Sequence, residues 1–300
     1  MIATATLASP AAERQYKVFF ANFGEQFANA VAVRQSTQEA ARKVPSIVLF
    51  IADNQGRPEQ TIVNADSAIA QRVDLYIGYN PPAVNETIAR KMRDARIKVL
   101  AVQFRIGDAP LYAIDNKEIG RIGGDMLGKW GTDNWRGQPT VAVFHNYLQG
   151  GDALLERAKA AEDALKRHLP NIRITTLDTR VNAETTRSNM ADFLTANPNV
   201  KVLAWVHLDD MAVAVKAAVE AANRSNDVRI VSVGGDAAIF PELRREASTV
   251  IGSVAIFPEL WGADIIPLSL RILRGEQVPA ITHPKIDILT RENINRYYPR

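Results

Sequence analysis

The chain has 300 residues, of which 47% are hydrophobic and 23% charged, and its 36 basic and 33 acidic residues leave a formal net charge of +3. This composition is typical of a soluble globular protein with one large domain or two of ordinary size, and the small, dispersed positive excess does not indicate nucleic-acid binding. The sequence contains no cysteine, which excludes disulfides, thiolate metal sites and a cysteine nucleophile.

The first fifteen residues, MIATATLASPAAERQ, are small and mildly apolar, with no helical or strand pattern. They resemble the last part of a secretory signal, with a small-residue cleavage region near residues 9–12. An ordinary disordered N-terminus has a similar composition, so both interpretations stay open. Because there is no cysteine to acylate, we expect an exported form to carry no lipid anchor.

From Tyr16 onward, apolar runs alternate with amphipathic stretches. The runs are rich in β-branched and aromatic residues, which is typical of strands buried on both faces of a parallel sheet. The eight predicted strands are 16–22 (YKVFFAN), 46–52 (SIVLFIA), 74–79 (DLYIGY), 98–104 (KVLAVQF), 140–145 (TVAVFH), 173–178 (RITTLD), 201–207 (KVLAWVH) and 229–234 (RIVSVG).

The segments between these runs have a helical period. In 25–43, apolar residues such as Phe27, Ala30 and Val31 fall on one face, and 209–224 is rich in helix formers that follow Asp209, which we expect to cap the helix. Repeated strand–helix–strand units predict right-handed βαβ crossovers and an open α/β fold. The further predicted elements are a short strand at 111–115, a helix at 116–130, a loop at 131–139, a strand at 250–257, a helix at 259–274 and an extended segment at 283–289.

Polar residues follow most of the predicted strands. In open parallel sheets, ligands bind outside the carboxyl ends of the strands, so two such edges facing one another would form a cleft for a small polar ligand. Acids and amides at these positions could instead only cap the next helix. The candidate ligand-binding residues are Phe23, Gln26, Tyr79, Asn80, Gln103, Phe104, Arg105, His145, Asn146, Arg180, His207, Asp209, Asp236 and Phe257.

The stretch DNQGRP, residues 53–58, shows how such a strand end is built. We expect Gly56 to relieve the turn and Pro58 to occupy the first position of the next helix, with Asn54 or Gln55 at the rim of the site. Trp205 lies inside a strand run and is expected in the core. The glycines of 120–128 lie within a helical pattern and lack the Gly-Lys-Ser/Thr ending of a phosphate loop, so we expect them to serve close helix packing.

Four stretches carry a family resemblance: 52–82; 114–130 with its Asp-Asn and Gly-Gly; 193–222 with Asn-Pro-x-Val and Asp-x-Met-Ala; and 272–297 with Gly-Glu-x-Val-Pro and Thr-x-Glu-Asn. They resemble the periplasmic solute-binding proteins of the ribose- and galactose-binding type, whose core is shared with the LacI-type repressors. The resemblance covers nearly all of the chain from residue 16 onward.

The resemblance implies two Rossmann-like α/β lobes with parallel sheets, joined by a three-strand hinge that closes on a ligand. It assigns residues 16–116 and 257–283 to one lobe and 117–256 and 284–300 to the other. It implies a periplasmic, monomeric protein that delivers a solute to an inner-membrane ABC permease, with no cofactor, no metal and no enzymatic activity. A sensory co-receptor that presents its ligand to a membrane kinase or chemoreceptor stays an alternative.

Several of the residues that hydrogen-bond to sugar hydroxyls in the sugar-binding members of the family are replaced here. Leu155 stands where the family has Arg, Leu208 where it has Asn, and Ile256 where it has Gln. Either Arg105 and Asp236 restore the family's Arg and Asp from nearby positions, or the ligand has fewer or differently placed hydroxyls than an aldose. We expect a neutral sugar, polyol or modified sugar.

Four basic residues of the predicted edges support a different ligand class. They are Arg105, His145, Arg180 and His207. Such a set could bind an acid-bearing or phosphorylated ligand, which stays an alternative to the neutral sugar or polyol.

Overall fold

The strands follow the predicted pattern closely in the computed structural model, which describes residues 14–300. The strands are β1 (Tyr16–Asn22), β2 (Ile47–Asp53), β3 (Leu75–Gly78), β4 (Lys98–Val102), β5 (Leu111–Tyr112), β6 (Thr140–Asn146), β7 (Arg173–Asp178), β8 (Lys201–Val206), β9 (Val228–Gly234), β10 (Val250–Ala255), β11 (Ile281–Thr282) and β12 (Asp287–Leu289). β1 and β7 begin and end where the sequence places them.

The helices occupy the amphipathic segments. They are α1 (Ala28–Arg42), α2 (Pro58–Ala70), α3 (Asn85–Asp94), α4 (Asn116–Trp135), α5 (Asp152–His168), α6 (Ala183–Ala196), α7 (Asp209–Ala221), α8 (Phe240–Arg244), α9 (Gly262–Arg274) and α10 (Ile294–Tyr297). Local chemistry sets several ends. Pro58 starts α2 after Gly56 at φ +64°, and the Asp115 carboxylate caps α4 by accepting from the Glu118 N–H at 3.0 Å.

The chain forms two α/β units. Unit 1 contains residues 14–113 and 258–284 of the described chain, and unit 2 contains 114–257 and 285–300. The chain therefore passes between the units three times, after Ala113, Phe257 and Pro284. The two α/β units with mostly parallel sheets confirm the predicted fold class.

The sheet of unit 1 has the order β11-β5-β4-β3-β1-β2, and all its pairs are parallel. Its core contains Phe19 and Tyr76, whose rings stack with centroids 6.0 Å apart. Because every strand runs in the same direction, the segments that follow β1, β2, β3 and β4 share one edge of this sheet.

The sheet of unit 2 has the order β12-β10-β9-β8-β6-β7 and is parallel except for β12, which pairs antiparallel to β10. Its core includes Val143, Met190, Val206 and Val215. The segments after β6, β7, β8 and β9 share its carboxyl edge. Trp205 is fully buried beside Phe144, with ring centroids 6.2 Å apart, as expected of a core residue.

Glycines bring α4 and α5 of unit 2 close together. A Cβ atom at Gly120 would lie 2.1 Å from the Arg157 carbonyl oxygen, and one at Gly124 would lie 2.2 Å from that of Ala161. Both distances are far below van der Waals contact, so these positions accept no side chain without movement of the backbone. The glycines predicted to serve helix packing do so.

Two local predictions are wrong. Residues 131–135 are the last part of α4 and not a loop, because Trp135 is buried and its ring lies edge-on against Trp130 at 4.6 Å. Asp209 is not a helix cap: Leu208 holds that position, and the Asp209 carboxylate bonds to other elements.

Part of the predicted N-terminal leader, including its cleavage region at residues 9–12, lies outside the described residues. From Arg14 to the C-terminus, none of the helices combines the length and the apolar character needed to span a bilayer.

Candidate ligand-binding site

Four aromatic rings form a cluster at the carboxyl edge of the unit 1 sheet. Phe23 follows β1, Tyr79 follows β3 and Phe104 follows β4. The Phe23 centroid lies 5.2 Å from that of Phe27, 5.3 Å from that of Tyr79 and 6.3 Å from that of Phe104, and Tyr79 and Phe104 are 6.4 Å apart. We call these four residues the aromatic face.

The aromatic face is partly open to solvent. Phe27 is 45% exposed and Phe104 36% exposed, whereas Phe23 and Tyr79 are half-buried. Burial of the Tyr79 phenol raises its pKa to about 12, so its hydroxyl stays protonated at neutral pH. Exposed aromatic rings grouped in this way are typical of a ligand-contacting surface.

A buried amide network supports the same edge. The Asn80 carboxamide oxygen accepts from Asn54 at 3.1 Å and from the Tyr76 hydroxyl at 3.1 Å, and its nitrogen donates to Asn85 at 3.2 Å. Asn54 also donates to the Tyr79 carbonyl at 3.2 Å. Asn80 and Asn54 are fully buried and engaged by protein partners, so they hold the loop that carries Tyr79.

Other polar side chains at this edge differ in whether they form hydrogen bonds or ion pairs within the protein. The Gln26 side chain is exposed and donates to the Gln55 carbonyl at 2.9 Å. Gln103 has a left-handed φ of +64°, and its side-chain nitrogen is buried without a hydrogen-bond partner among the described residues. Arg105 is exposed, and no ion pair joins it to another residue of the described chain.

The loop after β1 holds an internal charge pair. Glu25 accepts from Arg34 and from the Asn22 side-chain nitrogen, each at 2.9 Å. Asn22 is fully buried, and its side-chain oxygen has no partner among residues 14–300. The edge of unit 1 therefore offers a free buried acceptor on Asn22 and free buried donors on Gln103 and on the Asn85 nitrogen.

Two buried histidines lie at the carboxyl edge of unit 2. His145 is the penultimate residue of β6 and is fully buried, and His207 follows β8 and is 3% exposed. Burial lowers the pKa of His145 to about 3, with a smaller contribution from His207. Burial likewise lowers the pKa of His207 to about 4, so both imidazoles are neutral at pH 7. Both His145 ring nitrogens and Nε2 of His207 lack partners in the described part of the chain.

Arg157 of α5 lies beside these histidines. It is 6% exposed, its Nε donates to Asn116 at 2.9 Å, and an Nη donates to the His207 carbonyl at 3.5 Å. Burial lowers its pKa to about 10, which leaves it charged at neutral pH. Arg157 thus ties α5 to α4 and to the β8 end.

The buried carboxylate of Asp209 joins three strand ends of unit 2. It accepts from the Ser232 hydroxyl at 2.5 Å, the Ser253 hydroxyl at 2.7 Å and the Asp236 N–H at 2.8 Å. Burial raises its pKa, and these hydrogen bonds oppose the shift. Asp209 is fully buried, so its role in this structure is to hold the edge together.

The remaining predicted residues of unit 2 differ in how far they are exposed to solvent. Asn146 is 7% exposed, whereas Arg180 has a 76% exposed side chain and a left-handed φ of +49°. Asp236 is exposed. Phe257 is 2% exposed and packs on Tyr297 with centroids 5.1 Å apart, so it belongs to the core of unit 2.

Some of the predicted residues therefore gather in one group per unit. Phe23, Tyr79 and Phe104 contact one another, and His145 and His207 lie together. Sequence reasoning missed Phe27, because its spacing matched the helical face of 25–43. The residue instead precedes α1 as its N-cap, and its ring joins Phe23. Asn22 was recognised as a polar residue at a strand end but not included among the candidate ligand-binding residues. No group of three or more His, Asp or Glu side chains in residues 14–300 could hold a metal ion.

Comparison with known proteins agrees with this architecture. Residues 16–277 match the family described as "Periplasmic binding protein domain". The ribose import binding protein of Salmonella typhimurium is 23% identical over 256 residues, which cover 83% of this chain and 82% of that protein.

Two solved structures share the fold. A solute-binding protein of an ABC transporter from Actinobacillus succinogenes, with bound D-allose, has a TM-score of 0.78 and 17% identity, and the match covers 94% of this chain and 100% of that one. A counterpart from Bacillus halodurans, with bound myo-inositol, has a TM-score of 0.76 and 16% identity over 97% and 99% of the two chains. With the family match spanning both units, the chain belongs to the periplasmic binding protein family.

Proposed function

We propose that this protein binds a small polar solute (a sugar, polyol or modified sugar) with residues from the carboxyl edges of both units and delivers it to an ABC-type importer. The observation that carries the proposal is the aromatic face with unpartnered amide groups beside it, on a chain of this family. The proteins compared above are a ribose import binding protein and two solute-binding proteins with bound D-allose and bound myo-inositol. All three ligands are neutral and rich in hydroxyl groups.

The available side chains favour a neutral solute over an anionic one. His145 and His207 are uncharged at pH 7, and Arg157 donates to Asn116. Arg105 and Arg180 are exposed, where a single charge contributes little binding energy. Neutral imidazole and amide groups can both donate to and accept from hydroxyls.

The ligand would be captured by hinge closure, in which the two units bind it together and the closed state becomes favoured. The protein would act in the periplasm as a monomer, without turnover of its ligand. Recovery of the protein in the osmotic-shock fraction of its host would support that location. Chemical change of a bound solute during incubation would overturn the assignment as a binding protein.

A thermal-shift screen of refolded, ligand-stripped protein tests the proposal. The library would contain aldoses, polyols, cyclitols, sugar acids and sugar phosphates. A ligand present at a hundred to a thousand times its Kd stabilises the folded protein by about 3–4 kcal/mol, which raises the melting temperature by several degrees. We expect neutral sugars or polyols to give this shift. A shift with sugar acids or phosphates only would contradict the neutral-solute proposal.

The Phe23→Ala variant provides the matched test of the site. Phe23 is the central ring of the aromatic face, so its removal should weaken or abolish the shift. Val63→Ala, at a 58% exposed position on α2 of the same unit, should leave the shift unchanged. Equal shifts in both variants would place the ligand elsewhere.

A further inference from the structure

We propose that the natural ligand is an uncharged glycoside with an apolar aglycone, aryl or alkyl, and that the aromatic face of unit 1 binds this aglycone. The inference rests on the proposed function and narrows its ligand class. The sugar part would use the neutral polar groups at the same edge, and the aglycone would use the exposed rings.

The size of the aromatic face is the first argument. A sugar ring stacks on an aromatic ring through the C–H groups of one of its faces. Here Phe23 contacts three other rings, with centroid separations of 5.2–6.3 Å, so the face extends beyond the width of one ring. Its outer members, Phe27 and Phe104, are the more exposed ones. A ligand that covered only Phe23 would leave these two rings in water.

The second argument is the state of the polar groups beside the rings. The Glu25 carboxylate already accepts from Arg34 and Asn22, and Asp53 accepts from the backbone N–H groups of Glu25 and Gln55 at 3.2 and 2.8 Å. In unit 1 the buried side-chain atoms without partners in the described chain are the oxygens of Asn22, Asn29 and Thr282 and the nitrogens of Asn85 and Gln103. All are uncharged, and an amide oxygen and an amide nitrogen of this kind suit a hydroxyl or a ring oxygen.

The charges near the aromatic face also favour an uncharged aglycone. The cation–π contacts among residues 14–300 all involve rings outside the aromatic face. Arg34, the basic residue of the β1 loop network, is paired with Glu25. Among residues 14–300 no cation is stacked on a ring of the face, and Arg105, next to Phe104 in sequence, is exposed to solvent, so an uncharged apolar group fits the face best.

Titration calorimetry tests this inference with three pairs of β-D-glycosides. Each pair consists of the methyl and the phenyl glycoside of one sugar, which is glucose, galactose or xylose. We expect the phenyl compound of at least one pair to bind ten or more times tighter than the methyl compound. Phenyl β-D-glucuronide serves as the charged counterpart of the phenyl glucoside and should bind more weakly. If a cyclohexyl glycoside binds as tightly as the phenyl glycoside, the aglycone is alkyl. If the cyclohexyl glycoside binds more weakly than the phenyl glycoside, the aglycone is aryl.

Phe104→Ala and Phe27→Ala are the informative variants, since both side chains are exposed and their removal should leave folding intact. Each should cost at least tenfold in phenyl glycoside affinity and a clearly smaller factor in methyl glycoside affinity, so that the ratio of the two affinities falls. Val63→Ala should change neither. If the methyl and phenyl glycosides of each sugar bind with equal affinity, this inference is overturned but the proposed function stands. Failure of every free sugar, polyol and glycoside to bind would overturn both.

Discussion

At the residue scale, Asp209 illustrates how a strand end can be polar for structural reasons. Its buried carboxylate accepts from two serine hydroxyls and one backbone N–H. Asp209→Ala would leave the Ser232 and Ser253 hydroxyls without this acceptor, and both serines are fully buried, so water does not replace it. We expect the free energy of unfolding, measured by urea titration, to fall by about 2–4 kcal/mol.

The adjacent residue is the control for this prediction. Asp210 is exposed in the first turn of the same helix, so Asp210→Ala should change the free energy of unfolding by about 0.5 kcal/mol or less. A loss as large for Asp210→Ala as for Asp209→Ala would show that helix-dipole electrostatics and not the buried hydrogen bonds stabilise this end of α7.

The two buried histidines predict a pH dependence of stability. Burial lowers the pKa of His145 to about 3 and that of His207 to about 4, from an ordinary value of 6.5. The unfolded chain therefore takes up protons at a higher pH than the folded chain. Stability is at its full value above pH 6.5 and falls as the pH drops toward the folded-state values, by up to about 1.4 kcal/mol per pH unit for each histidine.

Urea unfolding between pH 7 and pH 5 measures this slope, in a window where carboxylates contribute little. His145→Gln should reduce the slope, and the double variant with His207→Gln should reduce it further. Val143→Ala, a buried non-titrating change two residues upstream on β6, should lower stability at every pH but keep the slope. An unchanged slope in the double variant would contradict the assignment.

The residue scale also marks the limit of prediction from sequence. That His145, His207 and Asp209 follow strands can be deduced from the chain, because apolar runs end there. Their partners cannot, because Ser232 and Ser253 lie 23 and 44 residues from Asp209 and meet it only through the strand order of the folded sheet. A carboxylate that binds a ligand and one that binds two serines look alike in sequence.

At the element scale, central strands such as β8 were predictable because burial on both faces requires continuous apolar runs, whereas the edge strands β2 and β7 are only partly buried. β1 and β7 match their predicted bounds, and the other main strands differ by one or two residues at their ends. The errors fall where tertiary contacts override local pattern. The Gly-Thr-Asp-Asn sequence at 131–134 favours a loop, yet α4 continues through it because Trp135 is buried in unit 2.

The close packing of α4 on α5 predicts a strict size limit at Gly124. A Cβ there would lie 2.2 Å from the Ala161 carbonyl oxygen, which is backbone and cannot rotate away. Gly124→Ala should therefore destabilise the protein by about 1–3 kcal/mol through separation of the helices, although alanine favours helices. Chemical unfolding of the purified variant measures the loss.

Lys129→Ala serves as the control for this change, because Lys129 is exposed on α4 and its ion pair with Asp133 is a solvent-exposed one. We expect a change of about 0.5 kcal/mol or less. If Gly124→Ala instead raises the free energy of unfolding, α4 and α5 can move apart without loss of stability. The helix propensity of alanine would then determine the effect of this substitution.

At the scale of the whole molecule, the two units explain why the site is only partly readable from sequence. Each edge collects the segments that follow successive strands of one sheet, so Phe23 after β1 and Phe104 after β4 meet although they are far apart in sequence. The edge itself was predictable, since parallel strands place their carboxyl ends together. Which rings are exposed was not, because exposure depends on loop conformations such as the left-handed Gln103.

The proposed hinge closure predicts a change in overall dimensions on ligand binding. Small-angle X-ray scattering of ligand-stripped protein should show a decrease in the radius of gyration as a ligand found by thermal shift is added, because the state that engages both units is selected. In Phe23→Ala the same decrease should need more ligand but reach the same final value, since the ring contributes affinity and not the hinge. A radius of gyration that stays constant at ligand concentrations that raise the melting temperature would mean that the solute binds one unit alone.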